Sequence, residues 1–387
     1  MPDYKNFVLH DGGDLGYGGG YDPAVASYSS VHDGSGGPLV PQVSGCSYDN
    51  GTITSTGDAL EDSIAGSFAY VVFTGSLSGY TDYYIVATRP DKNTITIVDG
   101  PAGTDSCNVT VGGFWPSTGV AFQQALDGFT SESQLHIATD QASGTTIEVE
   151  TELATNTAVD GGAIYPVMIK GVNKADGSDL NASSSYLPKL QATANLANIL
   201  KMQSRYYYIK NLYADGNGNA VTIGIGIYNL YVHVVGCLVE DCTNGIATSS
   251  SGSGSSIVDC EVWDCDNKGI EAYGHGMLVL NCSVHDCATG IVAQNKYGIS
   301  VIGCRAFNNS GDGIIYRSYA GGSLLNNVSD NNGMRGFYFI RRRVMWRPTI
   351  QRPTTALTAM IIISTILHGF ILAIIILITT QAATVRI

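Results

Sequence analysis

Charge is scarce in this chain. Only 14% of its 387 residues are charged, against roughly a quarter in ordinary globular domains, and Asp+Glu 33 against Lys+Arg 20 leaves a formal net charge of -13. A protein that neutralises phosphates would carry the opposite balance, so no nucleic-acid partner is expected. The Ala/Glu/Lys/Leu excess of a coiled coil is missing, and the glycines show no Gly-X-Y period, which removes the fibrous helical classes. Met1 to Gly20 has one Lys, no continuous apolar run and no small-residue cleavage site, so no secretory signal peptide is read there. Folding in a reducing cytoplasm is the expectation that follows. What the chain does contain is 47 Gly, 22 Tyr and 44% apolar residues. That combination describes a turn-rich all-β protein.

An internal repeat organises the chain's second half. The segments GCLVEDCTNGIA (Gly236 to Ala247), DCEVWDCDNKGIEA (Asp259 to Ala272), NCSVHDCATGIVA (Asn281 to Ala293), GCRAFNNSGDGII (Gly303 to Ile315) and NNVSDNNGMRGFYF (Asn326 to Phe339) share the pattern C-x-V-x-D-C-x(2,3)-G-I. One column reads Cys237, Cys260, Cys282, Cys304, Asn326, and a second reads Cys242, Cys265, Cys287, Asn309, Asn331, at steps of 22 or 23. A weaker copy begins at Lys210. Short apolar alternations broken by Gly, Asn, Asp and Ser predict short strands joined by tight turns. No such coil buries its apolar face alone, so successive coils must stack in parallel register.

These residues resemble the pectate-lyase-like right-handed parallel β-helix family, over about residues 113–340. The fold class implied is an all-β, right-handed parallel β-helix with about 22 residues per coil, in eight to ten coils. Upstream, TGVAFQQALD (Thr118 to Asp127) places Val120, Ala121, Ala125 and Leu126 at helical spacing behind a Ser/Thr cap, a short helix suited to plugging the end of the coil. Residues 43–112 read as a small β module of about six strands, from period-2 runs such as Phe68 to Phe73 and Asn93 to Val98. Residues 1–42 read as a Gly/Tyr-rich arm, flexible or ordered only against a partner. Similar modules precede β-helices in phage tail and virion proteins, a likeness at the level of fold.

Seven of the nine cysteines fall in the two columns. Inward residues of stacked coils lie about 4.8 Å apart, but parallel side chains disfavour the disulfide torsion. A ladder of buried free thiols is therefore expected, with Asn continuing it by hydrogen bonding along the stack. C-x(4)-C repeated evenly matches no zinc or iron–sulfur spacing, so no metal ligand set is read. Cys46 and Cys107 stand apart and could pair. Asp241, Asp264 and Asp286 precede the second column. Such residues cap tight corners, and a row of them would also suit Ca²⁺ or acid/base work on a polysaccharide. Gly274-His275-Gly276 resembles the G-H-G of polygalacturonases, which makes Asp264, Asp266, His275 and Asp286 the catalytic candidates, although the companion N-T-D, D-D and R-I-K elements are missing. Tyr228, Trp263, Tyr273, Tyr297 and Tyr316 are candidates for stacking against sugar rings.

From Arg341 onward the composition changes abruptly. The last 47 residues contain no Asp, Glu or Asn and one glycine, Gly369, and Leu357 to Ile378 is 22 residues without a charge. Two readings stand. The first is a transmembrane helix behind Arg341, Arg342, Arg343, Arg347 and Arg352, which would anchor the chain through residues 357–378. The second is a frame-slipped continuation of the repeat, since Asn, Asp and Tyr codons read one base out of phase become Ile, Met or Thr codons. The resemblance implies a glycan-binding virion or cell-surface protein like a phage tail-fibre or tailspike subunit, trimeric and without a signal peptide. The alternatives are a polysaccharide lyase or glycoside hydrolase, and a tail-anchored membrane β-helix protein. No cofactor is read beyond the Ca²⁺ that the aspartate row would suit.

Overall fold

The computed structural model describes residues 6–10, 13, 19–21, 26, 28–31, 37–127, 129, 133–139, 144–157, 160–161, 166–175, 177–180, 187–317 and 321–339, with the backbone of 359–367 and 370–378. Three parallel sheets run the length of a right-handed β-helix. The second and third contain eight strands each, and the first is extended at its start by the N-terminal strand Asn6–His10, which pairs in parallel with Gln134–Thr139. Part of the 1–42 segment is therefore the first rung of the solenoid rather than a free arm. One core cluster extends from Phe7 to Ile314 through every coil.

The 22-residue period follows from three short strands and three corners per coil. Each corner requires one left-handed residue, and Asn, Asp and Gly are the residues that adopt that conformation at low cost. At the first corner it is Asn211, Gly236, Asp259, Asn281, Gly303 and Asn326 in successive coils, with φ between 52° and 66°. At the second it is Asp241, Asp264, Asp286, Asn308 and Asn331, with φ between 49° and 56°. The inward residue follows immediately after, which shifts the expected columns in the last coil by one place. Asn327, not Asn326, continues the first cysteine column and accepts from Cys304 N–H at 2.9 Å. Asn332, not Asn331, continues the second and accepts from Asn309 N–H at 3.0 Å. All nine cysteines are free and buried.

The helix Gly119–Asp127 closes the N-terminal end. Thr118 Oγ1 accepts from the Ala121 N–H at 3.3 Å, and Ala121, Phe122, Ala125 and Leu126 are buried. Val120 instead faces solvent, 68% exposed, because Phe122 takes the core-facing stripe. Ahead of it, Val40–Asp49, Thr52–Thr54, Phe68–Phe73, Asp82–Asp91, Thr94–Ile97 and Thr104–Val111 close into a six-stranded antiparallel barrel. Cys46 lies opposite Cys107 in it. Trp115 joins barrel to solenoid, stacked on Phe7 at 5.4 Å and edge-on to Tyr83 at 4.8 Å.

The expected transmembrane helix is not found among the described residues. Ala359–Leu367 and Phe370–Ile378 are antiparallel strands paired over nine positions, as their β-branched Ile and Thr favour, and no helix among the described residues is long and apolar enough to cross a membrane.

Candidate functional site

Strand alternation decides what each sheet shows to solvent. On the second sheet the central residues Ala214, Val239, Val262, Val284 and Ala306 are buried, so their flanking neighbours point outward. Two outward columns result: Lys189, Tyr213, Leu238, Glu261, Ser283, Arg305, and Gln191, Asp215, Glu240, Trp263, His285, Phe307.

The upper rungs of this face hold a polar cluster. Lys189 Nζ lies 2.7 Å from Asp215 Oδ2, 3.6 Å from Glu240 Oε1 and 4.3 Å above the Tyr213 ring. Asp215 also accepts from Gln191 Nε2 at 3.1 Å and from the Asn217 N–H at 2.7 Å. The Tyr213 hydroxyl donates to Glu240 Oε1. Burial first, and the Glu240 carboxylate second, push the Tyr213 phenol well above its ordinary range. Leu180 and Leu187 pack with Tyr213, Leu238 and Trp263, forming an apolar wall on one side of the cluster. Below it opens a cleft lined by Leu187, Leu238, Asp259, Glu261, Asn281 and Ser283.

Lower on the same face, Trp263, His285 and Phe307 form a ladder of near-parallel rings, with centroids 6.1 Å and 4.7 Å apart and interplanar angles of 9° and 26°. His285 is held by Asp286 at 2.6 Å and Glu261 at 3.3 Å, and the Arg305 guanidinium sits 4.1 Å over Phe307. Rings stacked on one another turn their edges outward. Trp263 therefore does not present a free face to a sugar ring.

The aspartate and histidine candidates separate. Asp264, Asp266 and Asp286 share one open groove with Asn308 and Ser310 at the second corner, where Asp264 and Asp286 are the left-handed corner residues themselves. His275 lies at the third corner, its Nδ1 accepting from the Tyr297 N–H at 3.2 Å and its ring stacked on Tyr297 at 5.5 Å. The five-residue strand Lys268–Ala272 runs between them, about 16 Å of extended chain, so His275 cannot assist Asp264 or Asp266. Among the described residues no three His, Cys, Asp or Glu side chains converge on a metal-sized site; the aspartates share a groove without forming the Ca²⁺ cage that their spacing suggested.

The tyrosine candidates lie along the third sheet, away from Trp263. Tyr228 donates to Asn198 Oδ1 at 3.1 Å with Lys201 Nζ 5.6 Å over its ring, and Lys296 Nζ lies 5.0 Å over Tyr273. Tyr316 donates to the Ile299 carbonyl at 2.8 Å. Tyr297 is 54% exposed. Sequence reasoning missed Lys189, Asp215 and Glu240. The signal available was the alternation Tyr-Ala-Asp and Leu-Val-Glu, which puts an acid outward on two successive rungs.

Residues 229–343 match the family model described as periplasmic copper-binding protein (NosD). The matched stretch is a run of coils. Three solved structures are similar to this chain at low identity. An alginate lyase from Paenibacillus sp. is 12% identical, covering 57% of this chain and 74% of its own, with a TM-score of 0.36. A Geobacillus virus E2 protein, ORF18, is 14% identical, covering 58% and 60%, with a TM-score of 0.29. The catalytic unit of a GH87 alpha-1,3-glucanase from Streptomyces thermodiastaticus is 13% identical, covering 76% and 61%, with a TM-score of 0.34. This chain thus spans about three-fifths of the length of the last two. No curated protein matches it.

Copper, named in the family description, finds no fitting donor set among the described residues. Copper is bound by converging thiolate, thioether or imidazole groups. Here Cys242, Cys260 and Cys287 each give their S–H to the carbonyl two residues back, at 3.2 Å, and burial drives the Cys237, Cys242 and Cys282 thiols well above their ordinary range. Protonated thiols inside a filled core are packing groups.

Proposed function

We propose that this protein binds a polysaccharide on the outer face of its second sheet, as a virion or cell-surface subunit of the phage tail-fibre or tailspike kind. The observation that carries the reading is the Lys189–Tyr213–Asp215–Glu240 cluster beside the Leu180 and Leu187 wall. Glu240 and Lys189, both partly exposed, offer a carboxylate acceptor and an ammonium donor to sugar hydroxyls, while the buried Asp215 carboxylate holds Lys189 in position. A glycan array tests it: one class of neutral glycan retained by the protein and lost in Glu240→Gln supports the reading, and binding that survives both Glu240→Gln and Lys189→Met sinks it.

Homotrimer assembly belongs to the same proposal and is supported by the first sheet. Val235, Val258, Leu280, Ile302 and Leu325 face outward in one register-matched stripe. An outward aliphatic ladder with the coil's own pitch complements another coil of equal pitch.

A second reading, polysaccharide cleavage, is favoured by Asp215 and Glu240 occupying adjacent rungs. Asp215 accepts from Lys189, Gln191 and the Asn217 N–H, while Glu240 accepts from the Tyr213 hydroxyl. Paired carboxylates are the equipment of glycoside hydrolysis. Product release from a neutral polysaccharide, abolished in Glu240→Gln with binding retained, would identify the enzyme.

A further inference from the structure

The two ends of the solenoid differ. The N-terminal end is closed by the helix Gly119–Asp127. At the other end the strands Leu324–Leu325, Val328–Asp330 and Phe337–Phe339 pair, among the described residues, only with the coil before them, which leaves three parallel strand edges without a described partner. Core side chains are laid bare there. Phe337 is 36% exposed, whereas Ile246, Ile270, Ile291 and Ile314, which precede it in the same inward column, are all 0% exposed. Phe339, in the inward column that runs through Ala272, Ala293 and Tyr316, is 49% exposed, whereas Ala272 and Ala293 are 0% exposed. Open parallel edges over an apolar cross-section are a surface made for another coil.

The residues that follow cannot supply that coil as they stand. Two coils need six left-handed corners, and residues 341–387 contain no Asn or Asp and one Gly. Their number nevertheless suits two coils of 22, and their codons carry a regular signature. Ile, Met and Thr codons begin AT or AC, so reading one base upstream turns each of them into NAT or NAC, which encode only Tyr, His, Asn or Asp. The tail has 11 Ile, 8 Thr and 2 Met. Ala and Val codons become NGC or NGT, which encode only Cys, Arg, Ser or Gly, and the tail has 5 Ala and 2 Val. Stop codons in the displaced frame need a following AA, GA or AG start. The tail contains no Asn, Lys, Asp or Glu, which removes every AA and GA codon. The displaced frame is therefore rich in corner residues and largely cleared of stops. The family match to the coils also ends at residue 343, where the composition changes.

We propose that the open end is an internal surface of the native protein, covered by about two further coils encoded by the codons of residues 341–387 read one base upstream. The hairpin Ala359–Leu367 and Phe370–Ile378 is then a product of the displaced reading. Two measurements test this. Independent sequencing of the gene, with peptide mapping of the protein from its source, should find a single-base difference near the codons for Gly336 to Arg343 and peptides rich in Asn, Asp and Gly. An uninterrupted frame together with peptides from residues 344–387 overturns the proposal. In parallel, the frame-restored protein and a chain ending at Phe339 are compared for binding of an apolar dye. Restoration should abolish the signal of the open end and raise the thermal midpoint; equal dye binding and equal midpoints would also overturn it.

Discussion

At the scale of single residues, backbone geometry decides which aspartates are structural. Asp264 and Asp286 sit in the left-handed region, where an Ala pays roughly 1–2 kcal/mol and Gly or Asn does not. Asp264→Ala should therefore lower stability by about that amount, while Asp264→Gly stays near wild type and both retain glycan binding; chemical denaturation and the glycan array read the two effects separately. Lost binding in a fully stable Asp264→Gly would return the residue to the site. His136 makes a different prediction. It is almost wholly inside the first coil, its Nε2 3.0 Å from Gln134 Oε1, and burial foremost, with Lys170 adding to it and Asp179 opposing, holds its imidazole down at about 3 instead of 6.5. The unfolded chain then binds the extra proton, so this contribution is intact above pH 6.5 and is lost progressively as the pH falls toward 3. His136→Gln should flatten stability over that window, as followed by thermal midpoints at a series of pH values. An unchanged slope would assign the acid sensitivity elsewhere.

At the scale of elements, the cap helix and the barrel close edges that would otherwise invite strand addition. Phe122 is the helix's largest fully buried side chain, and truncating such a residue removes about 3–5 kcal/mol. Phe122→Ala should lose stability of that order and expose the N-terminal coil to faster proteolysis, with the coils farther from the cap protected for longer. The first-sheet stripe gives a prediction of opposite sign. Leu280→Glu on its outward column should leave folding intact and, by light scattering, convert an assembly to monomers; a wild-type chain already monomeric removes the assembly proposal.

The solenoid as a whole was legible in the sequence because its repeat is a linear consequence of stacking. Cys237 to Cys304 and the Asp and Asn corners recur at the coil length, so composition and period reveal them without a structure. The candidate site was much less so. Asp264 and Asp286 were found together because they belong to one column, but Asp266 and His275 were assigned to them through their neighbours in sequence, and a strand separates His275 from the others. Lys189, Tyr213, Asp215 and Glu240 are spread over 52 positions of the chain and meet only because three successive coils stack them. For the whole molecule, the net charge of -13 bears on ligand choice. A neutral polysaccharide should stay bound as ionic strength rises from about 0.05 to 0.5 M, where surface charge is increasingly screened, and a polyuronate should bind poorly at the lower value; affinity electrophoresis in both salts checks this.

By itself, then, the sequence determined the all-β class, the coil period, the capping helix, the buried thiol ladder and the break at Arg341. Each of these is written locally, in alternation, corner chemistry or composition. Only the tertiary structure decided which outward residues share a face, that Trp263, His285 and Phe307 stack on one another, and that, among the described residues, the core lies open beyond Phe339. Those are properties of neighbouring coils, set by a register of about 4.8 Å between strands that no single segment encodes.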